Sequence, residues 1–293
     1  MNIGFSLSNN QGLTNVQDVV SVAARAEELG FDSVWASDHV FNVSYVYERL
    51  GNRPYYDPLT ILTFAAAQTQ RVILGTSVLV LPYHNPMRLA KQAATLDQLS
   101  GGRVALGVGV GVIDTEIEAM GVPFAERGPY TDESIAIMKT LWCDDEPRHE
   151  GRFFQFADMA FSPRPVRPEG IPLIIGGTSR AAIRRAARHG DGWHPTAMPP
   201  EDLAQGIRYL HERAERADRD PASIPVSVSV PLQGGRPGRF ALGTEPAEMR
   251  ANAQAFADIG VSRIVVSPYS GDPAVVFPAM ETVAAEVMPA VAE

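Results

Sequence analysis

Eight short apolar runs alternate with eight helical segments along the 293 residues of this chain, and this alternation most constrains its fold. The runs are rich in β-branched residues and predict strands, at Asn2–Leu7, Ser33–Ser37, Val72–Val80, Val104–Gly109, Pro172–Ile175, Gly192–Thr196, Val226–Val230 and Arg263–Ser267. Helix start signals lie between them, such as Asp57-Pro58 and Asn85-Pro86, where an N-cap side chain precedes a proline. Strict alternation favours an α/β fold with a parallel sheet, and eight units close a (β/α)8 TIM barrel. An open doubly wound sheet is the alternative, but it seldom has eight evenly spaced units.

The segment of about 144–170, before the fifth strand, interrupts this rhythm. It contains several prolines and the aromatic residues Phe153, Phe154, Phe156 and Phe161. Because disordered linkers are poor in aromatic side chains, we expect an ordered insertion with a short hairpin. The chain 1–293 is then a single domain of about the usual barrel length.

Composition limits the partners and the cellular setting. The net charge of −9 comes with acidic and basic residues interspersed, so we expect no nucleic acid partner. Cys143 is the only cysteine, which argues against disulfides and cysteine-built zinc sites and favours a reducing, cytoplasmic setting. The six histidines include no His-x-His pair, so a metal site is not expected. We also expect no signal peptide and no membrane span, because no apolar run approaches the ~20 residues that a span needs.

Two neighbouring strands contain small residues at positions where a buried strand normally has large apolar side chains. They are Val72–Val80 and the run Arg103–Val112, which contains Gly107, Gly109 and Gly111. A glycine inside a strand marks a bulge or a close approach of a ligand, and both interpretations stay open here. The glycine run is not a dinucleotide fingerprint, because its spacing is wrong and no helix follows at once.

Polar residues at the carboxyl ends of the strands are the candidate site, because TIM-barrel active sites lie on that face. Asp38 and His39 follow the second strand and could be metal ligands, an acid/base pair or loop residues. Neighbouring residues in an extended segment point in opposite directions, so only one of the two can face a pocket fully.

The turn from Gly176 to Arg180 follows the fifth strand and opens a helix. Free backbone N–H groups and the helix dipole favour a phosphate there; a tight turn with Ser179 as N-cap is the alternative. Tyr45, Tyr47, Tyr55 and Tyr56 lie in the loop after the second strand, where they line a pocket as a lid or pack on a partner subunit.

Five segments together resemble the bacterial-luciferase-like superfamily, and most closely its branch that uses the deazaflavin coenzyme F420. They are GFDSVWASDHV (Gly30–Val40), LGTSVLVLPYHNP (Leu74–Pro86), LSGGRVALGVGVG (Leu99–Gly111), IPLIIGG (Ile171–Gly177) and GDGWHP (Gly190–Pro195). The resemblance covers almost the whole chain in the correct order.

The resemblance implies roles for individual residues. His39 is implied to lie beside the redox ring as a proton donor or hydrogen-bond partner, and Ser77-Val78 to form a bulge with a cis peptide that supports the ring. The other residues implied to bind the cofactor are Asp38, Gly109, Val110, Gly111, Thr115, Gly176, Gly177, Ser179 and Arg180. The substrate pocket is expected to include Tyr45, Tyr55, Trp193 and His194, with Trp193 closing over the ring.

One departure from the family pattern limits the reaction. The sugar-phosphate dehydrogenases of this group carry an acid/base glutamate after the glycine run, and this chain has Val112 there, which cannot exchange a proton. Asp114 or Glu116 could replace it, but the sequence does not show this.

We therefore expect an F420-dependent oxidoreductase that transfers a hydride to or from a small organic substrate. The first alternative is an FMN-dependent monooxygenase, and the second is a non-catalytic flavin- or deazaflavin-binding protein. A homodimer is expected.

Overall fold

The computed structural model describes residues 1–233, 239–268 and 270–292, which form a parallel barrel with helices outside it. The strands are β1 (Asn2–Ser6), β2 (Ser33–Ala36), β3 (Ile73–Val80), β4 (Val104–Gly109), β5 (His149–Glu150), β6 (Gln155–Phe156), β7 (Leu173–Gly176), β8 (Gly192–His194), β9 (Ser227–Pro231) and β10 (Arg263–Ser267). Eight of them form one sheet in the order β8-β7-β4-β3-β2-β1-β10-β9. Backbone hydrogen bonds from Ala197 to Ser229 (2.8 Å) and from Ser229 to Pro195 (3.0 Å) join β8 to β9 and close the barrel. The predicted TIM barrel is confirmed.

The helices surround this barrel and mostly begin where the sequence predicts. They are α1 (Val16–Leu29), α2 (Ser44–Leu50), α3 (Pro58–Gln68), α4 (Pro86–Ser100), α5 (Asp114–Ala119), α6 (Arg127–Cys143), α7 (Arg180–His189), α8 (Pro200–Glu215), α9 (Pro246–Asp258), α10 (Pro273–Thr282) and α11 (Met288–Val291). Side chains of Asn15, Asp57, Asn85 and Ser179 accept backbone N–H groups at the starts of α1, α3, α4 and α7. The short helices α2 and α5 are additions to the prediction, and both lie in loops at the carboxyl ends of strands.

Glycines in β1 and β3 make room for one large side chain inside the barrel. Trp35 is fully buried there and packs with Ala105, Ile174 and Val265. A methyl group on Gly75 would overlap the indole ring of Trp35, and one on Gly4 would lie 2.9 Å from its Nε1. The small residue at position 75 therefore serves core packing.

A bulge in β3 explains the glycines of β4. The register between the two strands shifts between Thr76 and Leu79, and the Ser77–Val78 peptide is cis, which confirms the prediction for that bond. A Cβ at Gly107 would overlap the Thr76 carbonyl oxygen, and one at Gly109 would lie 2.9 Å from Val78 Cγ2. The space beside these two glycines is thus filled by the neighbouring strand.

The predicted insertion contains the antiparallel hairpin β5–β6, which Glu133 of α6 holds. Its carboxylate accepts the N–H groups of Arg152, Phe153 and Phe154 and contacts His149 Nε2 at 3.2 Å. The insertion is therefore ordered, as expected.

The last helical segment corrects the expectation that no apolar run approaches the ~20 residues that a membrane span needs. The stretch Pro273–Val291 is a continuous helical segment, with a π-helical turn at Val283–Val287, and it is long and apolar enough to cross a membrane by length and composition. Its residues Val276, Met280, Val283 and Val287 are buried, and the segment packs against α1 and α9. With 28% of the apolar window buried, part of its apolar content packs in the outer layer of the barrel.

Candidate active site

A cavity of about 530 Å³ opens at the carboxyl ends of the strands. Its lining is rich in hydroxyl groups because five strands each contribute a serine from within or just after the strand: Ser6, Ser37, Ser77, Ser229 and Ser267. Helix α2 contributes Tyr45, Glu48 and Arg49 to the wall, and Arg239 lies on another side. The loop after β2 therefore partly covers a polar pocket at the position where TIM barrels carry out chemistry.

Asn10 lines the cavity, and one atom of its side-chain amide has no hydrogen-bond partner among the residues that the structure describes. Its side-chain nitrogen donates to Ser37 Oγ at 2.8 Å, whereas its Oδ1 is buried without a hydrogen bond. A buried polar atom left in this state costs about 1–3 kcal/mol, which a ligand N–H or O–H group would recover.

His39 is held between a carboxylate and a phenol. Its Nδ1 lies 2.7 Å from Glu116 Oε2, and its Nε2 lies 3.0 Å from the hydroxyl of Tyr45. The rings of Tyr45 and Tyr55 meet the imidazole edge to face at centroid distances of 5.8 and 5.5 Å. His39 is not among the described residues that line the cavity, so it approaches the cavity through Tyr45.

Glu116, at the start of α5, is a buried carboxylate of the candidate site to which the sequence analysis gave no definite role. It is 1% exposed and accepts the N–H groups of Val40 (2.7 Å) and Phe41 (3.0 Å) and the hydroxyl of Tyr83 (2.6 Å), besides contacting His39. Burial alone would raise the pKa of this carboxyl, but the hydrogen bonds from His39, Tyr83 and Phe41 outweigh it and lower the pKa. A permanently ionised carboxylate therefore orients the imidazole and anchors the loop after β2. Val112, in contrast, is 73% exposed.

Asp38 points away from His39, as expected for neighbours in an extended segment. It is 4% exposed, and its Oδ2 accepts the N–H of Val80 at 3.0 Å and contacts His84 Nε2 at 2.8 Å. Its carboxylate thus fastens the end of β2 to the end of β3, and its predicted contact with a cofactor stays a prediction.

His194 lies below the cavity, so its expected place in the substrate pocket is wrong. It is fully buried and stacked on Trp35 at 5.2 Å, with Nε2 2.9 Å from Ser77 Oγ and Nδ1 2.7 Å from Ser227 Oγ. Burial lowers the pKa of this imidazole to about 3, with a smaller contribution from the positive charge of Arg263. A neutral His194 therefore positions Ser77, which does line the cavity.

Trp193 does not close over the cavity, and that expectation is also wrong. Its side chain is 0% exposed and faces the helices: a Cβ on Gly206 of α8 would overlap the indole ring. Its Nε1 donates to the carbonyl of Gly177 at 2.9 Å. Adjacent residues of a strand point to opposite sides, and here His194 takes the barrel interior.

Tyr55 also supports the pocket from behind. Its hydroxyl donates to Ser37 Oγ at 2.8 Å, and burial raises its pKa. Of the four residues expected in the substrate pocket, Tyr45 is the one that lines the described cavity.

The turn after β7 presents an exposed helix N-terminus. Gly177 has a φ of +107°, Ser179 Oγ accepts the N–H of Ala182 at 3.2 Å, and the Arg180 guanidinium stands 5.4 Å from the Tyr209 ring centroid. A Cβ on Gly176 would lie 2.7 Å from Val78 Cγ1, so this turn adjoins the β3 bulge. The geometry is compatible with a phosphate, and Gly176, Gly177, Ser179 and Arg180 remain predicted ligands.

The predicted residues after β4 lie outside the cavity lining. Val110 and Gly111 continue β4 into the loop, and Thr115 is in the first turn of α5. A Cβ on Gly111 would lie 2.7 Å from Val80 and 2.9 Å from Ile117. Their contacts with a cofactor stay predictions. Within the described ranges of the chain, no group of three metal-ligating side chains is present.

The sequence of the chain matches a known family of proteins. The sequence model of luciferase-like monooxygenases matches residues 1–282. The chain belongs to this family and is an oxidoreductase of the luciferase-like class.

Two relatives and one solved structure show the range of activities among similar proteins. An F420-dependent glucose-6-phosphate dehydrogenase of Amycolatopsis mediterranei is 32% identical over 248 residues, covering 83% of this chain and 72% of that protein. A 4-hydroxyprotoasukamycin monooxygenase of Streptomyces nodosus subsp. asukaensis is 30% identical over 240 residues, covering 78% and 62%. An F420-dependent secondary alcohol dehydrogenase in complex with an F420-acetone adduct superposes with a TM-score of 0.85 at 22% identity, covering 100% of this chain and 99% of that one. This last likeness establishes the fold.

Proposed function

We propose that this protein is an F420-dependent oxidoreductase that transfers a hydride between the deazaflavin and a small organic substrate. The observation that carries the proposal is the fixed group Glu116–His39–Tyr45 beside a polar cavity at the carboxyl ends of the strands. A proton-transfer chain next to a ligand pocket, with no described metal cluster, is suited to chemistry in which a cofactor moves electrons and the protein moves a proton.

The residues of the site fit a flavin-type cofactor. The unpartnered Oδ1 of Asn10 would accept an N–H group of a heterocyclic ring, and Ser77 offers a hydroxyl at the bulge. The helix N-terminus at Gly176–Arg180 would hold a phosphate of the tail. When bound, coenzyme F420 supplies a hydride and does not readily activate oxygen. The protein supplies a binding pocket and the proton carried by the His39 chain.

The site lacks the acid/base glutamate after the glycine run that sugar-phosphate dehydrogenases of this group carry. We therefore do not propose a sugar phosphate as the substrate. Val112 occupies that position and is exposed. Glu116 does not replace the missing acid, because its two oxygens are occupied by His39, Tyr83 and two backbone N–H groups. A substrate with a simple carbonyl or alcohol group fits the remaining proton donors.

Side-by-side equilibrium binding of F420 and FMN to the purified protein tests the cofactor. We expect F420 to bind at least tenfold more tightly than FMN, a difference of about 1.4 kcal/mol. A monooxygenase is among the relatives, so an FMN-dependent monooxygenase is the second candidate. Equal or tighter FMN binding, together with oxygen uptake on reduction, would assign the protein to the monooxygenases. If a cofactor binds without turnover on any substrate, the second alternative, a non-catalytic binding protein, stands.

The role of His39 is tested separately from binding. We expect His39→Ala to keep its cofactor dissociation constant within about twofold, because His39 lies behind Tyr45, and to lower turnover by roughly 10²–10⁴-fold. Unchanged turnover would show that the imidazole only packs and hydrogen-bonds.

The proposal also covers the location, the oligomeric state and the partners of the protein. We propose a cytoplasmic homodimer that acts on a small molecule and contacts neither nucleic acid nor a membrane. Light scattering of the purified protein at several concentrations measures its mass, and a monomeric mass throughout would contradict the dimer.

A further inference from the structure

We propose that Tyr45 is the residue that exchanges a proton with the substrate, and that His39 acts behind it as a relay. This inference rests on the proposed function and identifies a catalytic residue for it. Two observations carry it: Tyr45 lines the cavity, whereas His39 is not among the described residues that do so, and the two side chains are 3.0 Å apart through Oη and Nε2.

The chain behind Tyr45 is organised in one direction. Glu116 is buried and its pKa is lowered, so the Nδ1–H of His39 donates to its carboxylate at 2.7 Å, and Nε2 faces the hydroxyl of Tyr45 at 3.0 Å. Glu116 is also fixed by the N–H groups of Val40 and Phe41, so an imidazole that turned towards the cavity would lose its 2.7 Å contact with this carboxylate. The phenol is thus the member of this group that lines the cavity.

Helix α2 places the phenol at the wall of the cavity. Val46 and Leu50 are buried in a small cluster with Ile113, and Tyr45 packs against the same cluster. The helix is therefore fastened to the loop after β4 by apolar contacts that do not involve the hydroxyl group. Removing only that oxygen leaves the packing of the ring in place.

When an alcohol is oxidised, its hydroxyl proton moves through Tyr45 to His39. The O–H bond of the alcohol breaks and its proton passes to the oxygen of Tyr45, while the proton of Tyr45 passes to Nε2 of His39. The electron pair of the carbinol C–H bond leaves as a hydride to the oxidised deazaflavin, and a carbonyl forms. The imidazolium is stabilised by the Glu116 carboxylate at 2.7 Å. Reduction of a carbonyl follows the reverse course.

Tyr45→Phe tests this assignment, with Tyr47→Phe as the matched control on the same helix. Tyr47 is 54% exposed and is not among the described residues lining the cavity. We expect Tyr45→Phe to lower the kcat for 2-propanol or cyclohexanol oxidation with F420 about 10²-fold, with the F420 dissociation constant unchanged within about twofold. Tyr47→Phe should match the wild type in both quantities.

A second measurement uses the protein without cofactor. In histidine-labelled protein, the ¹⁵N resonances of His39 are assigned by their loss in His39→Gln. Tyr45→Phe should move the Nε2 resonance and leave the Nδ1 resonance, which reports the bond to Glu116, in place.

The outcomes separate this inference from the proposed function. Failure of the wild type to bind F420 or FMN overturns both. If F420 binds but Tyr45→Phe equals or exceeds wild-type turnover, Tyr45 only covers His39 and the imidazole meets the substrate directly, which overturns the assignment of Tyr45 alone. An unmoved Nε2 resonance overturns it as well.

Discussion

At the scale of single residues, the site consists of side chains that are fixed before any ligand binds. His39, Asp38 and Ser77 each contact a partner from a distant part of the chain, at Glu116, His84 and His194 respectively. Asn10 is different, because one atom of its amide is buried without a partner. Pre-oriented groups lower the entropy cost of binding, and the unpartnered one is where a ligand gains most.

Replacing Asn10 with alanine should weaken cofactor binding about tenfold, because one hydrogen bond worth about 1.4 kcal/mol is lost. Asn10→Asp keeps an oxygen at the same point and should weaken binding less. Fluorescence titration of each variant with F420 measures the effect. Equal affinities for wild type and Asn10→Ala would show that the ligand does not reach this oxygen.

The buried His194 should make stability depend on pH. Its pKa is lowered from 6.5 to about 3, so between these values the unfolded chain binds a proton that the folded protein does not. Stability therefore falls as the pH falls below 6.5, by about 1.4 kcal/mol per pH unit from this residue. Urea unfolding at pH 7 and pH 5 should show a shallower pH dependence for His194→Gln than for the wild type. The exposed His211 is the control, and a His211→Gln protein should keep the wild-type dependence.

At the scale of elements, carboxylates fasten loops to the helices that precede or follow them. Glu27 of α1 accepts the N–H groups of residues 70–72 before β3, and Asp97 of α4 accepts those of Val104 and Val166. Glu133 does the same for the insertion. Each carboxylate satisfies backbone donors that have left the regular hydrogen-bond pattern. The segments that lead into β3 and β4, and the insertion before β7, are thereby fastened to the helices of the barrel.

Glu133→Gln should loosen the insertion, since an amide offers one acceptor oxygen to three backbone N–H groups. We expect a loss of about 1–3 kcal/mol, seen as faster hydrogen exchange at residues 152–154. Glu150→Gln, at an exposed position of the same hairpin, is the control and should exchange as the wild type does.

The effect of Glu133 should also depend on pH. Burial alone would raise the pKa of its carboxyl, but the N–H groups of Phe154 and Phe153 and the imidazole of His149 lower it from the ordinary 4.5. The stabilisation is thus present above pH 4.5 and is lost as the pH falls through the lowered value. A difference in thermal midpoint between wild type and Glu133→Gln that did not shrink at all as the pH was lowered from 5 until the wild-type carboxyl was protonated would contradict this explanation.

At the scale of the whole molecule, the barrel is packed around Trp35 below the cavity. The indole Nε1 donates to Ser33 Oγ at 2.8 Å, and its ring is stacked with His194, which in turn reaches Ser77 at the cavity floor. The interior of the barrel and the floor of the site are therefore one continuous structure, closed by the β8–β9 bonds. A change in the interior is transmitted to the position of the floor hydroxyls.

Gly75→Ala should destabilise the barrel, because the added methyl group overlaps the indole ring. Overpacking of this kind costs about 1–3 kcal/mol, measurable by urea unfolding. Gly128→Ala in α6 is the matched control: its Cβ would meet Arg185 at an ordinary 3.6 Å, so stability should stay equal or rise by up to about 1 kcal/mol. Equal stabilities for wild type and Gly75→Ala would show that the indole has room to shift.

The sequence by itself determined the eight βα units, the barrel they close and the face that carries the site. These depend on periodicity and on capping residues a few positions apart, so strand ends such as Leu7 and Thr196 differ from the structure by only one or two residues. The helices α2 and α5 were not predictable, because helices of one or two turns leave little periodic signal and depend on tertiary contacts.

Tertiary structure alone decided which side chains meet. Glu116 joins His39 across 77 positions of the chain, and Ser77 joins His194 across 117, although no local pattern links either pair. It also decided that Trp193 faces the helices while His194 fills the barrel, since alternation in a strand fixes opposite sides but not which side is inner. Local sequence sets the conformation of each element; the assignment of partners follows from how all eight elements share one core.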